Sequence, residues 1–258
     1  MTTKKLNKVQ KSNQLNQANF SDFSLSCYRV LLNLISQIQR NDNNGNQLQL
    51  PVVARECTLS AKGYAEEFNL TGNTAYEILK EATDKLMKTS FTMKTDKGIL
   101  KINVCSQAHY VEKEGRIDIR FTEEIMPHLA ELGKNFTMYN LKEISQFSSI
   151  YTTRLYELLM QFKTTGIFNI SVEDFRYKSG CITIFSRYND LKRFVIEHAV
   201  KEINSHYEIN LTYTEEKSGR KVDHLKFKFK PTLVHLAYDP IKKKMRTQLT
   251  RPKKLKNP

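Results

Sequence analysis

Ser60-Ala-Lys-Gly-Tyr-Ala-Glu-Glu-Phe68, Asn69-Leu-Thr-Gly-Asn73 and Thr74-Ala-Tyr-Glu-Ile-Leu-Lys-Glu-Ala-Thr-Asp-Lys-Leu-Met-Lys88 follow one another without a break. The first piece predicts a short helix and the second a tight polar turn. The third predicts a longer helix, because Ala75, Leu79, Ala82 and Leu86 fall at i, i+4, i+7 and i+11 on one stripe. Two helices across such a turn make a helix-turn-helix. Alternating runs come next: Phe91 to Thr95, Ile99 to Val111 and Arg116 to Phe121, joined at Asp96-Lys-Gly98 and Lys113-Glu-Gly115. Ile117, Ile119 and Phe121 share one face. Strands joined by tight turns after a helix-turn-helix form a wing.

Upstream, Leu25, Tyr28, Leu31, Leu32, Ile35 and Ile38 recur at helical steps from Ser24 to the turn-rich Asn41-Asp-Asn-Asn-Gly45, giving a first core helix. Downstream, a helix from Thr122 to Leu132 is expected to stop at Gly133, where the order starts again. Ser149 to Lys163 reads as a strong helix and Ile167 to Ile170 as a short strand. Ser171-Val-Glu-Asp174 matches a helix N-cap with an acidic first turn. A short helix to Tyr177, a turn at Lys178-Ser-Gly180 and a long helix from about Arg187 to His206 complete a second helix-turn-helix. Glu208 to Thr214, Lys217-Ser-Gly-Arg-Lys221 and Asp223 to Lys230 form its hairpin. The expected fold class is α+β, two tandem winged-helix domains at 20–133 and 134–238.

Both ends are basic. Residues 1–19 carry Lys4, Lys5, Lys8 and Lys11, no acid and many Asn and Gln, which predicts a flexible arm. Residues 239–258 form an expected basic tail; from Ile241 on it has eight basic residues and only one charge sign, and it adds nonspecific phosphate attraction. Over 258 residues, 41 Lys and Arg against 27 Asp and Glu leave a net charge of +14, which points to a polyanionic partner. No apolar run reaches the roughly 18 residues of a membrane helix, and no apolar segment follows the charged start, so a cytoplasmic protein with no membrane partner is expected. Cys27, Cys57, Cys105 and Cys181 lie far apart in sequence, outside zinc or disulfide spacing, and are expected to be reduced and buried.

Enzymatic signals are missing. The nine glycines spell neither a P-loop nor a dinucleotide-binding turn. The six histidines contain no pair two or four residues apart to hold a metal, leaving the twelve tyrosines without an evident activating site. There is no G-x-S-x-G elbow. We therefore expect no catalytic residues, no cofactor and no metal.

In the helix from Arg187 to His206, Val195, Ala199 and Ile203 make the core stripe, with Leu191, Ile196 and Val200 beside it. Arg193, Glu197, Lys201 and Asn204 face away, and Arg187, Lys192 and Arg193 crowd the first turns, where a groove-binding helix reaches furthest. With four basic and three acidic residues, that helix alone is balanced between a DNA-reading surface and an ordinary solvated one. The hairpin tilts the balance: Leu225, Phe227 and Phe229 point inward, while Lys226, Lys228 and Lys230 form a basic row joined by Arg220 and Lys221 at the tip. The first long helix presents Thr74, Glu77, Lys80, Glu81, Asp84 and Lys85, mixed in sign. There, backbone contact and packing against another protein stand level.

Val9-Gln-Lys-Ser-Asn-Gln-Leu15-Asn-Gln-Ala18, the block Thr74 to Leu86, Ile150-Tyr-Thr-Thr-Arg154-Leu-Tyr156-Glu-Leu-Leu159, and Asp190-Leu-Lys-Arg193 running into Ala199-Val-Lys-Glu-Ile-Asn204 resemble the theta-type plasmid replication initiators of the Rep_3 (RepB-like) family, over roughly residues 8 to 236. The resemblance implies two winged-helix domains that bind direct repeats, called iterons, in a plasmid origin. It implies a monomer that initiates and a homodimer, formed through the first domain, that represses its own promoter at an inverted repeat. Host partners would include the initiator DnaA and the replicative helicase. By position it assigns the major-groove helix to Arg187 through His206, and backbone contact to the helix around Asn73, Thr74 and Lys80. Where relatives are rich in arginine, Lys192 and Phe194 stand here. A dedicated winged-helix transcriptional repressor and a tyrosine-using DNA-processing enzyme are the competing classes.

Overall fold

Serine starts helix after helix. Ser12, Ser24, Ser60 and Ser171 each accept the amide three residues on, at 3.0–3.3 Å, and Ser149 accepts that of Tyr151 at 3.1 Å. Each such cap stabilises its helix by about 1 kcal/mol. The computed structural model describes residues 7–38, 55–70, 74–130 and 135–230.

The chain runs β1 (Lys8–Ser12), α1 (Asn13–Asn16), α2 (Leu25–Gln37), β2 (Glu56–Ser60), α3 (Ala61–Phe68), α4 (Ala75–Met87), β3 (Ser90–Thr95), β4 (Gly98–Asn103), β5 (Cys105–Val111), β6 (Arg116–Phe121), α5 (Met126–Leu129), β7 (Phe136–Asn140), α6 (Leu141–Ser145) and α7 (Ile150–Met160). It continues through β8 (Ile167–Ser171), α8 (Val172–Ser179), α9 (Tyr188–Leu191), a π-helical turn at Lys192–Glu197, α10 (His198–His206), β9 (Thr212–Ser218) and β10 (Lys221–Lys228). The duplication is visible in the sheets. The orders β2-β6-β5 and β8-β10-β9 are the same arrangement, a leading strand paired antiparallel with the last strand of the wing. In each unit a pair of helical segments stands between the leading strand and the wing, as a winged helix requires. Phe162, Phe168, Phe227 and Phe175 stack in sequence at 4.9, 5.9 and 6.0 Å between centroids and fill the second core. Phe168, Phe175 and Phe227 are buried, and each contributes about 1.5–3 kcal/mol.

Several expectations need correction. Residues 8–19 are no flexible arm: β1 pairs antiparallel with β7, Val9 and Leu15 are buried, and Lys11 is 1% exposed. The physical reason is that Lys11 has an anionic partner inside, described below. The break expected at Gly133 falls outside the described residues, and the strand beyond it, β7, belongs with β1 at the start of the chain. The run Ile99 to Val111 is two strands in two sheets, divided at the buried Val104, whose carbonyl accepts the Thr122 amide at 3.1 Å. Of the helix expected from Thr122 to Leu132, the described residues form only α5, and the strand expected from Glu208 starts only at Thr212. The Asn41 to Gly45 turn and the basic tail beyond Lys230 lie outside the described residues.

The two units are joined by polar groups no periodicity reveals. Arg154 on α7 is fully buried and donates to the carbonyls of Asn16 (2.5 Å), Ala18 (3.3 Å) and Lys178 (2.9 and 3.2 Å), the last in α8 of the second unit. It also donates to Tyr28 Oη (2.8 Å) and Glu157 Oε2 (2.6 Å). Glu157, equally buried, accepts from Lys11 Nζ at 2.7 Å, from Tyr28 Oη at 2.6 Å and from Tyr139 Oη. Burial pushes the Glu157 carboxyl up, but Lys11 and Arg154 outweigh it and hold it below the usual range. Burial lowers the Lys11 ammonium to about 8 against the opposing pull of Glu157. Nearby, Tyr177 Oη donates to the Thr92 carbonyl at 3.1 Å. Gly180, at φ +75°, caps α8 so close to the backbone of Phe20 and Ser21 that a Cβ would stand 3.1 Å from both.

Candidate nucleic-acid interface

The second helix-turn-helix is α8 followed by the continuous helical stretch 188–206. Its buried stripe is Leu191, Val195, Ile196, Ala199 and Ile203. The helix takes a π-helical turn at Lys192–Glu197, within which Val195 and Ile196 are buried while Arg193 and Phe194 are exposed. The loop that delivers the chain to this helix is held by Arg176 of α8, whose guanidinium donates to the carbonyls of Phe185 (2.5 Å) and Ser186 (3.1 Å). Phe185 itself sits at φ +58°.

The nominated residues separate into distinct positions. Arg187 stands at the exposed start of the helix, 83% exposed and paired with Asp190 at 2.8 Å. Arg193 is exposed, its guanidinium carbon 5.1 Å from the centre of the Phe194 ring, and Lys201 is exposed further along. Lys192 is tied to the wing: its ammonium lies 2.8 Å from Glu215 on β9, and this hydrogen-bonding carboxylate holds its pKa above the ordinary lysine value. Asn204 is a clasp. Its amide nitrogen donates to the Leu211 carbonyl and its oxygen accepts the Leu211 amide, both at 2.8 Å, closing the turn from α10 into β9. The clasp fixes the orientation of this exposed side chain and leaves its second N–H and second oxygen lone pair beyond the two bonds to Leu211.

The hairpin is also less simple than alternation suggests. Phe227 lies opposite Tyr213, and Leu225 opposite Glu215, so Tyr213 and Glu215 share the core-facing side with the helix. Lys226 and Lys228 lie opposite Thr214 and Thr212, on the other face of the sheet. The basic row therefore does not converge with Arg193. Arg220 and Lys221, at the tip, project from both faces' common end and are exposed. Lys217 follows Tyr213 and Glu215 on the helix side and is exposed, a cation the sequence reading missed although the period of two carries it. Arg176 and Glu215 were missed too; their partners, loop carbonyls and a lysine on another element, leave no trace in spacing.

In the first unit, Thr74 precedes α4 exposed and makes no capping bond through its side chain. Lys80 pairs with Glu112 at 3.2 Å, and that hydrogen bond raises its pKa. Asn73 lies outside the described residues. Glu77, Glu81, Asp84 and Lys85 are exposed along the same helix, mixed in sign as expected.

Comparison with known proteins places both units. A family profile described as "Initiator Replication protein, WH1" matches residues 8–160, and one described as "Initiator Rep protein, WH2" matches residues 171–229. The chain is 26% identical over 180 residues to a "Replication initiation protein" of Escherichia coli, a match spanning 67% of this chain and 55% of that relative's length. It is 27% identical over 265 residues to the "PI protein" of Escherichia coli, across 89% of this chain and 84% of the relative. Among solved structures, the Pi initiator protein in complex with iteron DNA superposes with a TM-score of 0.72 at 26% identity, covering 88% of this chain and 98% of that one.

Proposed function

The chain belongs to the initiator replication proteins, its two winged-helix domains matching the WH1 and WH2 profiles in order, and on that footing we propose that it starts plasmid replication by binding iterons in the origin. The observation that carries this reading is the helix 188–206. It presents Arg187 and Arg193 to solvent at its N-terminal half, held to a wing by Lys192 and Glu215, in a domain similar to its counterpart in the Pi initiator–iteron complex. In this reading the helix enters the major groove and an exposed arginine pairs with guanine through its fork, while Lys217, Arg220 and Lys221 meet flanking phosphates. Thr74 and Lys80 of the first domain, with Asn73, make backbone contact only. Lys201, Lys226 and Lys228 add long-range attraction.

The protein acts by binding DNA, in the cytoplasm and without a catalytic step. A homodimer formed through the first domain represses the protein's own promoter, and DnaA and the replicative helicase join at the opened origin. Family resemblance supports these finer steps. The test is a salt series of anisotropy titrations with tiled fragments of the DNA flanking the gene and scrambled controls. Tight binding confined to fragments with short direct repeats is expected, with log K falling by about 0.9 per phosphate neutralised for each unit of log salt. Equal binding to every fragment overturns the proposal. Deleting the gene separates an initiator from a dedicated repressor, since the first abolishes plasmid replication and the second only derepresses a promoter.

A further inference from the structure

Large apolar side chains stand exposed where the charges would suggest only phosphate contact. Phe194 is 49% exposed, and Ile182 and Ile184, in the loop just before the helix, are 45% and 46% exposed. Phe194 is not loose: its ring stacks on Phe185 at 5.8 Å and 26°, and Arg193 lies 5.1 Å from its centre. Phe185 is anchored in turn by an edge contact with Tyr151 at 5.9 Å and by the Arg176 clamp on its carbonyl. Arg193 and Phe194 both lie exposed within the π-helical turn.

We propose that Phe194, held by its stack on Phe185, reads thymine by packing on its C5-methyl group in the major groove. The inference rests on the DNA-reading role given above to this helix. A protein partner for the patch would have to desolvate Arg193 and the neighbouring Arg187–Asp190 pair, an expensive burial. A duplex satisfies both parts at once, with phosphates and guanine for the cations and the thymine methyl, the apolar feature of the major groove, for the ring. Phe194 discriminates by shape and desolvation, so it selects T·A over C·G where a lysine or arginine would select the reverse.

The experiment selects a duplex from a random pool with the full chain, then replaces each thymine in turn by deoxyuridine, which removes only the methyl. Wild type is expected to lose about fourfold in affinity at one or two positions, the worth of one buried carbon group. Phe194→Ala loses that sensitivity and binds both duplexes alike, while Arg193→Ala keeps it. Phe194→Leu, which retains an apolar side chain, shows a reduced but measurable preference and guards against a misfolded alanine variant. A selected duplex whose every thymine tolerates the change, or an equal deoxyuridine penalty in wild type and Phe194→Ala, overturns the proposal. Failure to select any duplex instead overturns the sequence-reading role on which it rests.

Discussion

Arg154→Met is expected to be among the most damaging single substitutions in the chain. Wild-type Arg154 and Glu157 are both 0% exposed, 2.6 Å apart, and the guanidinium also serves carbonyls of Asn16, Ala18 and Lys178. Removing it leaves a buried carboxylate with Lys11 as its one remaining cation and strips donors from carbonyls of both domains. Breaking a buried pair in this way costs about 3–5 kcal/mol. At a denaturant slope of about 3 kcal/mol per molar, that lowers the urea midpoint by roughly 1 to 1.7 M. The chain has no tryptophan, so far-ultraviolet circular dichroism and tyrosine fluorescence are the probes. Arg154→Lys keeps the charge but lacks the planar fork that reaches the three carbonyls, so it recovers part of the loss. Because one of those carbonyls belongs to α8, the methionine variant also separates the unfolding of the two domains into distinct transitions. A loss under about 1 kcal/mol would refute the argument, since it would mean that the cluster is solvated or that its charges are dispensable.

Alkali should destabilise the protein from about pH 9. Burial raises Cys27, Cys105 and Cys181, and also Tyr28, Tyr139 and Tyr156, above their ordinary values. The unfolded chain then releases protons that the folded one retains, and stability falls with rising pH. Lys11, lowered to about 8, works in the opposite sense between its folded and unfolded values, so Lys11→Met steepens the fall; thermal melts from pH 7 to 10.5 test both. Acid acts through Glu157: its contribution is present above the unfolded carboxylate value of 4.5 and is lost as pH drops through its lower folded value. Gly180→Ala should lose about 1–2 kcal/mol or more, from the positive φ and the 3.1 Å approach to Phe20 and Ser21, and a neutral urea curve would contradict that packing. Asn204→Ala should cost about 1–2 kcal/mol of stability through the lost clasp while leaving relative affinities for different duplexes unchanged. Arg193→Ala should lose about 1–3 kcal/mol of specific binding with little change in nonspecific binding; equal losses would remove it as a base reader.

Much of this architecture is legible from local pattern. The stripe Ala75, Leu79, Ala82 and Leu86, the Ser171 cap and the alternation Leu225, Phe227 are short-range properties of the chain, and each survives in the fold with small shifts in its ends. Where turn chemistry competes with alternation, boundaries move. Val104 looks like one more strand residue but is a buried joint between two sheets, and Asn210, at φ +50°, belongs to the turn that delays β9.

The candidate site divides the same way. Sequence alone determined which helix is amphipathic with arginine at its start, that a basic hairpin follows, and that the whole is strongly cationic. Only tertiary structure decided what each polar side chain is doing. Lys11 reads as part of a solvated arm until it meets Glu157, 146 residues away. Asn204 reads as a plain solvent-facing residue until Leu211 engages both its amide atoms, and Lys192 reads as a companion of Arg193 until Glu215 arrives from the wing. Periodicity reports which way a side chain points relative to its own element. Charge pairing and hydrogen bonding depend on which other element arrives there, and that is settled only when the chain closes on itself.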